Sequence, residues 1–484
     1  MAKNLSFRII YGYLPWPPID NPTSGDIHGM TPYTRKALSR RKTIVAITVG
    51  NALEFFDFTV YGFLALVIGK VFFPTFNSYG QLLLTVASFG VGFVMRPIGA
   101  IVIGTYADRA GRKSAMTLTI ALMALGCGII AVTPAYAEIG IAAPLLIVAA
   151  RLIQGFSAGG EVGASTTMLI EHASPGNRAY MASWQLASQG LGILTGAVMV
   201  GTLEFSLTRQ AMESWGWRLP FFLGLLIAPV GAYIRSQLEE SLSIESSGPR
   251  ATKLAQESSL SVLCRQHGKA VLLAMALMSG GTTAAYVVGF YMPTYAIREL
   301  GMSPPIALLG AALTGAMTFA LAPFAGKLAD RAGRKPLIVC SYVALAILIY
   351  PAFFWLQASP VPAVLFSVVA MLNVAGAFGG APAITMLPEL FPQRVRATGM
   401  SLSYGVGVTV FGGFAPFVCT WLVKISGNKL APAWYLIAMI CLSLIGLRYL
   451  KDRTGQNIDR AATADSTHSA NLSTSETSTW NTLP

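Results

Sequence analysis

Charged residues are scarce in this sequence, and their scarcity limits the class of protein that it can encode. Only 11% of its 484 residues are charged, whereas 54% are hydrophobic. Soluble domains carry about 25% charged residues. Together with a mean hydropathy of +0.59, this composition excludes an ordinary soluble protein and is typical of a membrane protein with many spans.

Cysteine and histidine are also few, and neither is clustered. The five cysteines have no CxxC spacing and the four histidines lie far apart, so neither a disulfide framework nor a metal site is predicted. The phosphate-binding pattern GxxxxGKS or GxxxxGKT occurs nowhere in the chain, which argues against an ATP-driven pump. We therefore expect no cofactor, no metal ion and no enzymatic activity.

The first 42 residues lack the apolar core and the cleavage site of a signal peptide, so no cleaved signal is expected. Met30 opens MTPYTRKALSRRK directly before the first apolar run. Translation starts either at Met1 or at Met30, and the second alternative makes residues 1–29 an upstream extension. The formal charge of +13 resides in short segments between apolar runs. It therefore reflects membrane topology and predicts no nucleic-acid partner.

Long apolar runs, by contrast, are abundant. A helix needs about 20 residues to cross the hydrocarbon core of a bilayer, and twelve runs of about that length are present. They predict an all-α membrane protein with twelve transmembrane helices in two six-helix, pseudo-symmetric halves. The predicted spans are residues 43–68, 80–106, 115–135, 141–171, 180–204, 217–236, 270–297, 305–328, 336–357, 361–388, 397–424 and 431–450.

Polar segments divide the chain into parts. The stretch SLSIESSGPRATK between the sixth and seventh spans is too rich in Ser and charge to be buried, which predicts a linker. The Ser- and Thr-rich end of the chain predicts disorder. The predicted parts are a cytoplasmic tail at 1–42, a first half at 43–236, a cytoplasmic linker at 237–268, a second half at 269–450 and a disordered cytoplasmic tail at 451–484.

Basic residues are distributed unevenly among the loops. The segment before the first span and the loops after even-numbered spans hold more Arg and Lys than the other loops. Because basic loops stay on the cytoplasmic side, we predict a multi-pass protein of the inner membrane with both termini cytoplasmic. The basic residues assigned to that side are Arg35, Lys36, Arg40, Arg41, Lys42, Arg109, Arg112, Lys113, Arg178, Arg331, Arg334, Lys335, Arg394 and Arg396.

An internal repeat is the strongest signal in the chain. GTYADRAGRK, at Gly104 to Lys113, returns as GKLADRAGRK at Gly326 to Lys335, after the second and eighth spans. TMLIEHASPGNRAYMAS and TMLPELFPQRVRATGMS form a weaker pair at nearly the same separation. Duplication of a six-span unit explains both pairs.

The repeated loop resembles that of the major facilitator superfamily, in which a GxxADRxGRK pattern follows the second span. Four further stretches resemble the metabolite:proton symporter family within it: GNALEFFDFTVYGF, MRPIGAIVIGTYADRAGRK, RLIQGFSAGGE and ELFPQRVRATG. ESWGWRLPFF and the stretch from VFGGFAPF to PAWYL are most similar to the citrate and tricarballylate symporters.

The resemblance implies a monomer in a lipid bilayer that imports a small carboxylate together with protons, a citrate-like tricarboxylate first. Two alternatives remain open. One is a proton symporter for a zwitterionic osmolyte such as proline or betaine, although the heptad tail of the osmosensing members is absent. The other is a non-transporting sensor on a transporter scaffold, which would be expected to carry an added signalling domain.

The stretch GNALEFFDF places two acids inside the first apolar span. Glu54 and Asp57 are three residues apart and share a helix face with Tyr61. A charge at the centre of a span costs about 2.5 to 3.5 kcal/mol on insertion scales, so partners from other spans are required. We predict that both acids line a central cavity and that Asp57, or Glu54, carries the coupled proton.

Spans two and four supply the predicted partners. Arg96 in span two and Arg151 in span four can form bidentate hydrogen bonds with substrate carboxylates. Gln154 and Glu161 follow on the same side of span four, Gln154 as a substrate-binding candidate and Glu161 as a proton-coupling one. The alternative for these charged residues is that they form fixed ion pairs between helices.

Other polar residues inside the spans are further substrate-binding candidates. Gln185 and Gln189 are four apart in span five and either line the cavity or hydrogen-bond helix to helix. In the second half the substrate-binding candidates are Tyr286, Asn373 and Tyr404.

The repeated loops predict a gate. Asp108 and Asp330 are expected to cap a neighbouring helix N-terminus and to pair with nearby arginines, which would close the cytoplasmic side. The alternative, that the loops only set topology, does not account for Gly and Asp repeated at fixed spacing. The predicted gate residues are Gly104, Asp108, Arg109, Arg112, Gly326, Asp330, Arg331 and Arg334.

Overall fold

The computed structural model describes residues 40–225, 229 and 259–456, except residues 75, 111, 172, 393 and 394. Within these ranges every regular element is helical. The α-helices are α1 (Arg40–Phe63), α2 (Ala65–Phe72), α3 (Ser78–Ala110), α4 (Arg112–Val132), α5 (Tyr136–Ile139), α6 (Ala142–Glu171), α7 (Arg178–Ser206), α8 (Arg209–Ser214), α9 (Leu219–Gly224), α10 (Ser259–Tyr286), α11 (Met292–Arg298), α12 (Pro304–Ala332), α13 (Arg334–Ala358), α14 (Pro362–Glu389), α15 (Arg396–Val408), α16 (Ala415–Ser426) and α17 (Ala431–Arg448).

These helices follow the predicted twelve-span layout. Within the described ranges, nine spans are long and apolar enough to cross a membrane, and the pair α1 and α2, bent by 64°, makes a tenth. The third predicted span is a shorter apolar helix, Thr117–Val132. The sixth begins with α9, and most of its remainder lies outside the described residues. The protein is therefore an all-α membrane protein of two six-helix halves.

The seventh and eleventh spans are interrupted near the middle of the bundle. A π-helical turn at Val287–Tyr291 joins α10 to α11, and another at Thr409–Gly413 lies between α15 and α16. Pro293 and Pro416 follow these turns, and proline lacks the N–H that would continue the regular bonding pattern. Such turns are frequent at functional sites, and the first of them borders the central cavity.

Helices α7 and α12 pack along each other across the boundary between the halves. A Cβ on Gly315 would lie 2.7 Å from the carbonyl oxygen of Gly190, and one on Gly326 would lie 2.5 Å from that of Ala179. Small residues of this kind let transmembrane backbones approach closely. The approach brings Asp330, at the end of α12, to the start of α7.

Replacement of Gly155 by Ala is expected to destabilise the first half. Gly155 of α6 lies so close to α3 that an added Cβ would be 1.6 Å from the carbonyl oxygen of Gly92. The two backbones would have to separate, and overpacking of this kind costs about 1–3 kcal/mol. The thermal unfolding midpoint of the purified protein in detergent measures the loss. Gly201→Ala is the matched control, since its Cβ would meet Leu308 at 3.6 Å, and equal midpoints for both variants would contradict the prediction.

Two boundaries differ from the prediction. Helix α10 begins at Ser259, inside the predicted linker at 237–268, and a kink at His267 (φ −125°) marks the predicted boundary instead. Residues 451–456 were predicted as part of a disordered tail. They are ordered instead, because polar side chains of this segment form hydrogen bonds with backbone groups at the ends of helices. Residues 1–39 and 457–484 of the predicted tails lie outside the described residues.

Candidate functional site

A central cavity lies between the halves, in two adjoining lobes of about 100 and 50 Å³. Its walls come from α1 and α7 of the first half and mainly from α10, α12, α13, α14 and α15 of the second. The described residues that line the lobes include no charged side chain. Both lobes share the wall residues Leu186, Gln189, Gly281, Ala285, Tyr286, Tyr342 and Gly380.

Four of the residues predicted for the substrate site line this cavity: Gln189, Tyr286, Asn373 and Tyr404. The side-chain amide of Gln189 donates to the Tyr404 hydroxyl across the boundary between the halves, at 3.4 Å. The amide of Asn373 donates to the Val369 carbonyl oxygen at 2.8 Å, which fixes its orientation. The cavity therefore presents neutral hydrogen-bonding groups among aromatic and small apolar side chains.

Arg96 lines neither lobe but lies close to two of the cavity tyrosines. Its guanidinium stacks on Phe93 at 4.0 Å and on Phe58 at 4.8 Å, and it acts electrostatically on the hydroxyls of Tyr286 and Tyr404. Arg96 is 1% exposed, and its guanidinium lies within hydrogen-bonding reach of the Tyr286 hydroxyl, although none of its three nitrogens makes a hydrogen bond of ordinary distance and angle to a described residue. Buried donors are normally satisfied, so the guanidinium of Arg96 has donors to spare beside the cavity.

The side chains of Glu54 and Asp57 have different surroundings although the two residues are neighbours on α1. Positions three apart on a helix diverge by about 60°. Glu54 lies within electrostatic range of Tyr286 and Tyr404 and so faces the second half. Asp57 instead contacts side chains of α4 and α6 in the first half. Neither acid lines the cavity lobes, contrary to the prediction.

Asp57 belongs to a buried group of four side chains, here called the Asp57 cluster: Asp57, Cys127, Arg151 and Gln154. The amide of Gln154 donates to Asp57 Oδ2 at 2.7 Å, and Arg151 Nη1 lies 3.4 Å from the same oxygen. The Cys127 thiol donates to Asp57 Oδ1 at 3.1 Å. Arg151 also donates to Gln154 Oε1 at 2.8 Å. One carboxylate, one guanidinium and two neutral groups thus form a closed unit inside the first half.

The guanidinium of Arg151 is directed away from the cavity by this cluster. It is fully buried and lies 3.6 Å above the ring of Tyr61, whose hydroxyl bonds with Ser88 at 2.5 Å. Arg96 and Arg151, assigned together to substrate binding from the sequence, therefore occupy different environments. Arg151 pairs with Asp57, whereas Arg96 lies beside the cavity tyrosines.

Gln185 and Glu161 also lie outside the cavity walls. The amide of Gln185 donates to Asn51 at 2.9 Å and its oxygen accepts from Ser165 at 3.2 Å, which is the helix-to-helix bonding that the sequence left open for it. Glu161 accepts from the Thr119 hydroxyl at 3.2 Å.

The end of the bundle that contains Asp330 is closed by a network, and we call it the motif end. Asp330 accepts hydrogen bonds from the backbone N–H groups of Ala179 and Tyr180, both at 2.9 Å, in the first turn of α7. This is the helix cap that the repeated loop predicted. Arg334 lies 3.8 Å from the same carboxylate, whereas Arg331 is exposed. In the first repeat, the side chains of Asp108, Arg109 and Arg112, and position 104, lie outside the described residues.

Sequence reasoning missed the centre of this network, Glu389. Its carboxylate bonds with Arg334 of the second half and lies 3.7 Å from Arg178 of the first. The signal was present, since Glu389 lies in TMLPELF, the counterpart of TMLIEHA in the first half. Asp330 and Glu389 thus both join α7 to the second half.

The chain after the last helix folds back onto the motif end. Asp452 accepts from the backbone N–H of Lys335 at 2.9 Å, and Arg453 donates to the Glu389 carbonyl oxygen at 2.6 Å. Burial favours the neutral form of Asp452, but hydrogen bonds from Thr454 and Lys335 outweigh burial and hold the pKa of Asp452 below its ordinary value. The carboxylate therefore stays ionised near neutral pH and keeps this segment in place.

The cavity is narrow because the halves meet at both of its ends. At the motif end α7 contacts Asp330, and at the opposite end Phe63 packs on Phe290 at 6.5 Å while Arg298 donates to the Ser78 carbonyl oxygen at 3.2 Å. Ligand pockets usually begin at about 300 Å³, well above either lobe. The halves must therefore separate at one end to admit a substrate.

Replacement of Asp330 by Ala is expected to open the motif end more often, because two N–H groups of α7 lose their acceptor. Ser183 lies beneath this contact and is fully buried, so a Ser183→Cys probe in a background without native cysteines reports opening as faster thiol labelling. We expect a severalfold increase. Arg331→Ala is the matched control, since Arg331 is exposed on the same helix end. Equal labelling of both variants would leave the loop with only a topological role.

Comparison with known proteins matches each half of the chain to a model of a transporter family. The model of the family "Sugar (and other) transporter" matches residues 42–258, and that of the "Major Facilitator Superfamily" matches residues 282–481. A citrate-proton symporter of Klebsiella pneumoniae is 37% identical over 425 residues, which are 87% of this chain and 94% of that protein. A glycine betaine/proline/ectoine/pipecolic acid transporter of Dickeya dadantii is 33% identical, over 88% of this chain and 86% of that protein.

Solved structures share the fold. The proton:xylose symporter XylE, solved with 6-bromo-6-deoxy-D-glucose, superposes with a TM-score of 0.71 at 19% identity, over 87% of this chain and 98% of that one. The related proteins are membrane transporters rather than enzymes. With its two six-helix halves and its repeated loop, the chain belongs to the proton symporters of the major facilitator superfamily, in the metabolite:proton symporter family.

Proposed function

We propose that this symporter imports a small carboxylate with protons, and that citrate-like tricarboxylates are its preferred substrates. The observation that carries the proposal is the buried guanidinium of Arg96, which keeps available donors beside the hydroxyls of the cavity tyrosines. A planar guanidinium binds a carboxylate through two parallel hydrogen bonds. The 37% identity to a citrate-proton symporter supports the tricarboxylate in particular.

In this mechanism Asp57 carries the coupled proton, and Arg151 sets how strongly the ionised form of Asp57 is stabilised. In the low dielectric of the first half, ionised Asp57 is stabilised by Arg151 at 3.4 Å and by Gln154 at 2.7 Å. Protonation of Asp57 removes that attraction and releases Arg151, which changes how α1, α4 and α6 hold together. Glu54, which like Arg96 lies within electrostatic range of Tyr286 and Tyr404, is the second candidate for the proton, and Glu161 is the third.

The motif end is proposed to face the cytoplasm, with both termini on that side of the inner membrane and a monomer as the working unit. The excess of Arg and Lys in its loops supports this orientation. The contacts of Asp330 and Glu389 with the first half then act as the cytoplasmic gate, which opens after substrate and proton have entered from outside.

A zwitterionic osmolyte is the second candidate, and the cavity lining favours it in one respect. Betaine or proline carries one carboxylate, which a single guanidinium satisfies, and a cationic nitrogen that aromatic faces attract. Tyr286 and Phe290 stack at 4.9 Å in the cavity wall, and none of the lining residues that the structure describes is charged. A tricarboxylate would leave more negative charge to be balanced.

Uptake into membrane vesicles tests the proposal. Labelled citrate, tricarballylate, proline and betaine are each supplied with and without an inwardly directed proton gradient, and an uncoupler serves as the control. We expect gradient-dependent accumulation of citrate-like acids. Gradient-dependent accumulation of betaine or proline alone would establish the second candidate. Accumulation that is equal with and without the proton gradient would overturn the proposed proton coupling.

A further inference from the structure

We propose that Tyr342 is a specificity-determining residue, whose hydroxyl hydrogen-bonds a carboxylate or hydroxyl group of the substrate. This inference rests on the proposed function, in that the central cavity is taken as the substrate site. Tyr342 belongs to α13, which supplies only Tyr342 and Leu345 to the walls of the two lobes. Nevertheless Tyr342 borders both lobes and is only 1% exposed.

Two glycines allow the ring of Tyr342 to reach the cavity from this helix. A Cβ on Gly281 of α10 would lie 2.4 Å from the Tyr342 hydroxyl oxygen, and one on Gly379 of α14 would lie 2.5 Å from its Cε1. Any larger residue at either position would collide with the ring. The ring therefore passes between two helices that are open to it only at these glycines, so its position is closely defined.

The hydroxyl of Tyr342 has hydrogen-bonding capacity to spare. It lies within hydrogen-bonding reach of the Ser443 side chain and the Gly281 backbone, but neither contact has the distance and angle of an ordinary hydrogen bond. The Ser443 hydroxyl instead donates to the Leu277 carbonyl oxygen at 2.5 Å. A tyrosine hydroxyl has one donor and two acceptor positions, so these two contacts leave capacity for a substrate group in the cavity that Tyr342 borders.

The chemistry of the hydroxyl selects among substrates. It donates to a carboxylate oxygen or accepts from a substrate hydroxyl, both of which citrate-like acids carry in addition to the carboxylate held by Arg96. A quaternary ammonium group offers it neither a donor nor an acceptor. A site that hydrogen-bonds a substrate group discriminates against analogues without that group, because its own polar atom is then left unpaired.

Tyr342→Phe tests the inference by removing only the oxygen. We expect the KM for citrate-like acids to rise about tenfold or more, as for loss of a hydrogen bond to a charged group, while the KM for betaine as substrate or competitor stays unchanged. The number of protons per substrate and the unfolding midpoint should also be unchanged. Tyr350→Phe is the matched control, because Tyr350 lies on the same helix but packs on Trp434 at 5.1 Å, outside the cavity walls.

A second variant keeps the hydroxyl but moves it. Gly379→Ala pushes the ring of Tyr342, so the ratio of KM values for tri- and monocarboxylates should change in this variant too. If Tyr342→Phe and Tyr350→Phe give equal KM values for every acid that the unmodified protein transports, the inference is overturned and the proposed function stands. If the unmodified protein accumulates no di- or tricarboxylate, the proposed function fails, and the inference, which rests on it, fails with it.

Discussion

Replacement of Asp57 by Asn is expected to abolish accumulation of substrate against its gradient, while exchange of substrate across the membrane without a gradient continues. An amide cannot take up and release a proton in the working pH range, yet it retains the size of the carboxyl group. It also keeps an oxygen to accept from Gln154, which bonds with Asp57 at 2.7 Å. The expected loss is complete for concentrative uptake and small for exchange.

The measurement pairs two assays on the same vesicles: uptake driven by an imposed proton gradient and counterflow at equal pH. Glu213→Gln is the matched control, because Glu213 is a carboxylate in an ion pair with Lys70 at 2.6 Å, outside the Asp57 cluster. Concentrative uptake by the Asp57→Asn protein at the level of this control would assign the proton elsewhere. Glu54 would then be examined with the corresponding Gln substitution.

Lysine substitutions at Arg96 and Arg151 are expected to have different effects. Lysine keeps the charge but loses the planar fork of donors. For Arg96→Lys, beside the cavity tyrosines, we expect substrate affinity to weaken by about tenfold to a hundredfold, as for the loss of hydrogen bonds between charged groups. Arg151 bonds with Asp57 and Gln154, so we expect Arg151→Lys to alter proton coupling instead. The pH dependence of uptake should change while substrate affinity is largely kept.

Affinity for citrate-like acids at one fixed pH, and uptake as a function of pH, separate the two effects. Arg209→Lys serves as the control, since Arg209 is 81% exposed at the opposite end of the bundle. If both Lys variants bind citrate-like acids as the unmodified protein does, the carboxylate proposal loses its main physical support. The osmolyte candidate would then be favoured, because it depends more on aromatic surface than on guanidinium geometry.

Much of the architecture could be predicted from the sequence because it depends on local properties. Crossing a bilayer requires about 20 apolar residues in succession, so the spans are visible as runs, and most observed helix ends lie within a few residues of the predicted ones. The repeated GxxADRxGRK loop predicted two related halves, and the same spacing in both copies predicted that Asp330 would cap a helix, as it does at Ala179 and Tyr180.

The sequence also showed which charged residues are buried, but not which of them pair with each other. An acid inside a span must be neutralised by another group, so Glu54, Asp57, Arg96 and Arg151 were recognisable as a set. Which acid meets which base depends on how α1 is rotated against α3 and α6. That rotation is set by packing between helices distant in sequence, and hydropathy does not record it.

Tertiary structure alone decided the rest of the site. Gln185 and Gln189 are equivalent by sequence, but one bonds to Asn51 while the other lines the cavity. Tyr342 carried no signal, because a tyrosine in a span is ordinary until Gly281 and Gly379 leave room for its ring. The sequence by itself determined which segments enter the membrane, because insertion depends on the transfer free energy summed over the residues of one helix. Tertiary structure determined what each buried polar group bonds to, since that depends on atoms supplied by other helices.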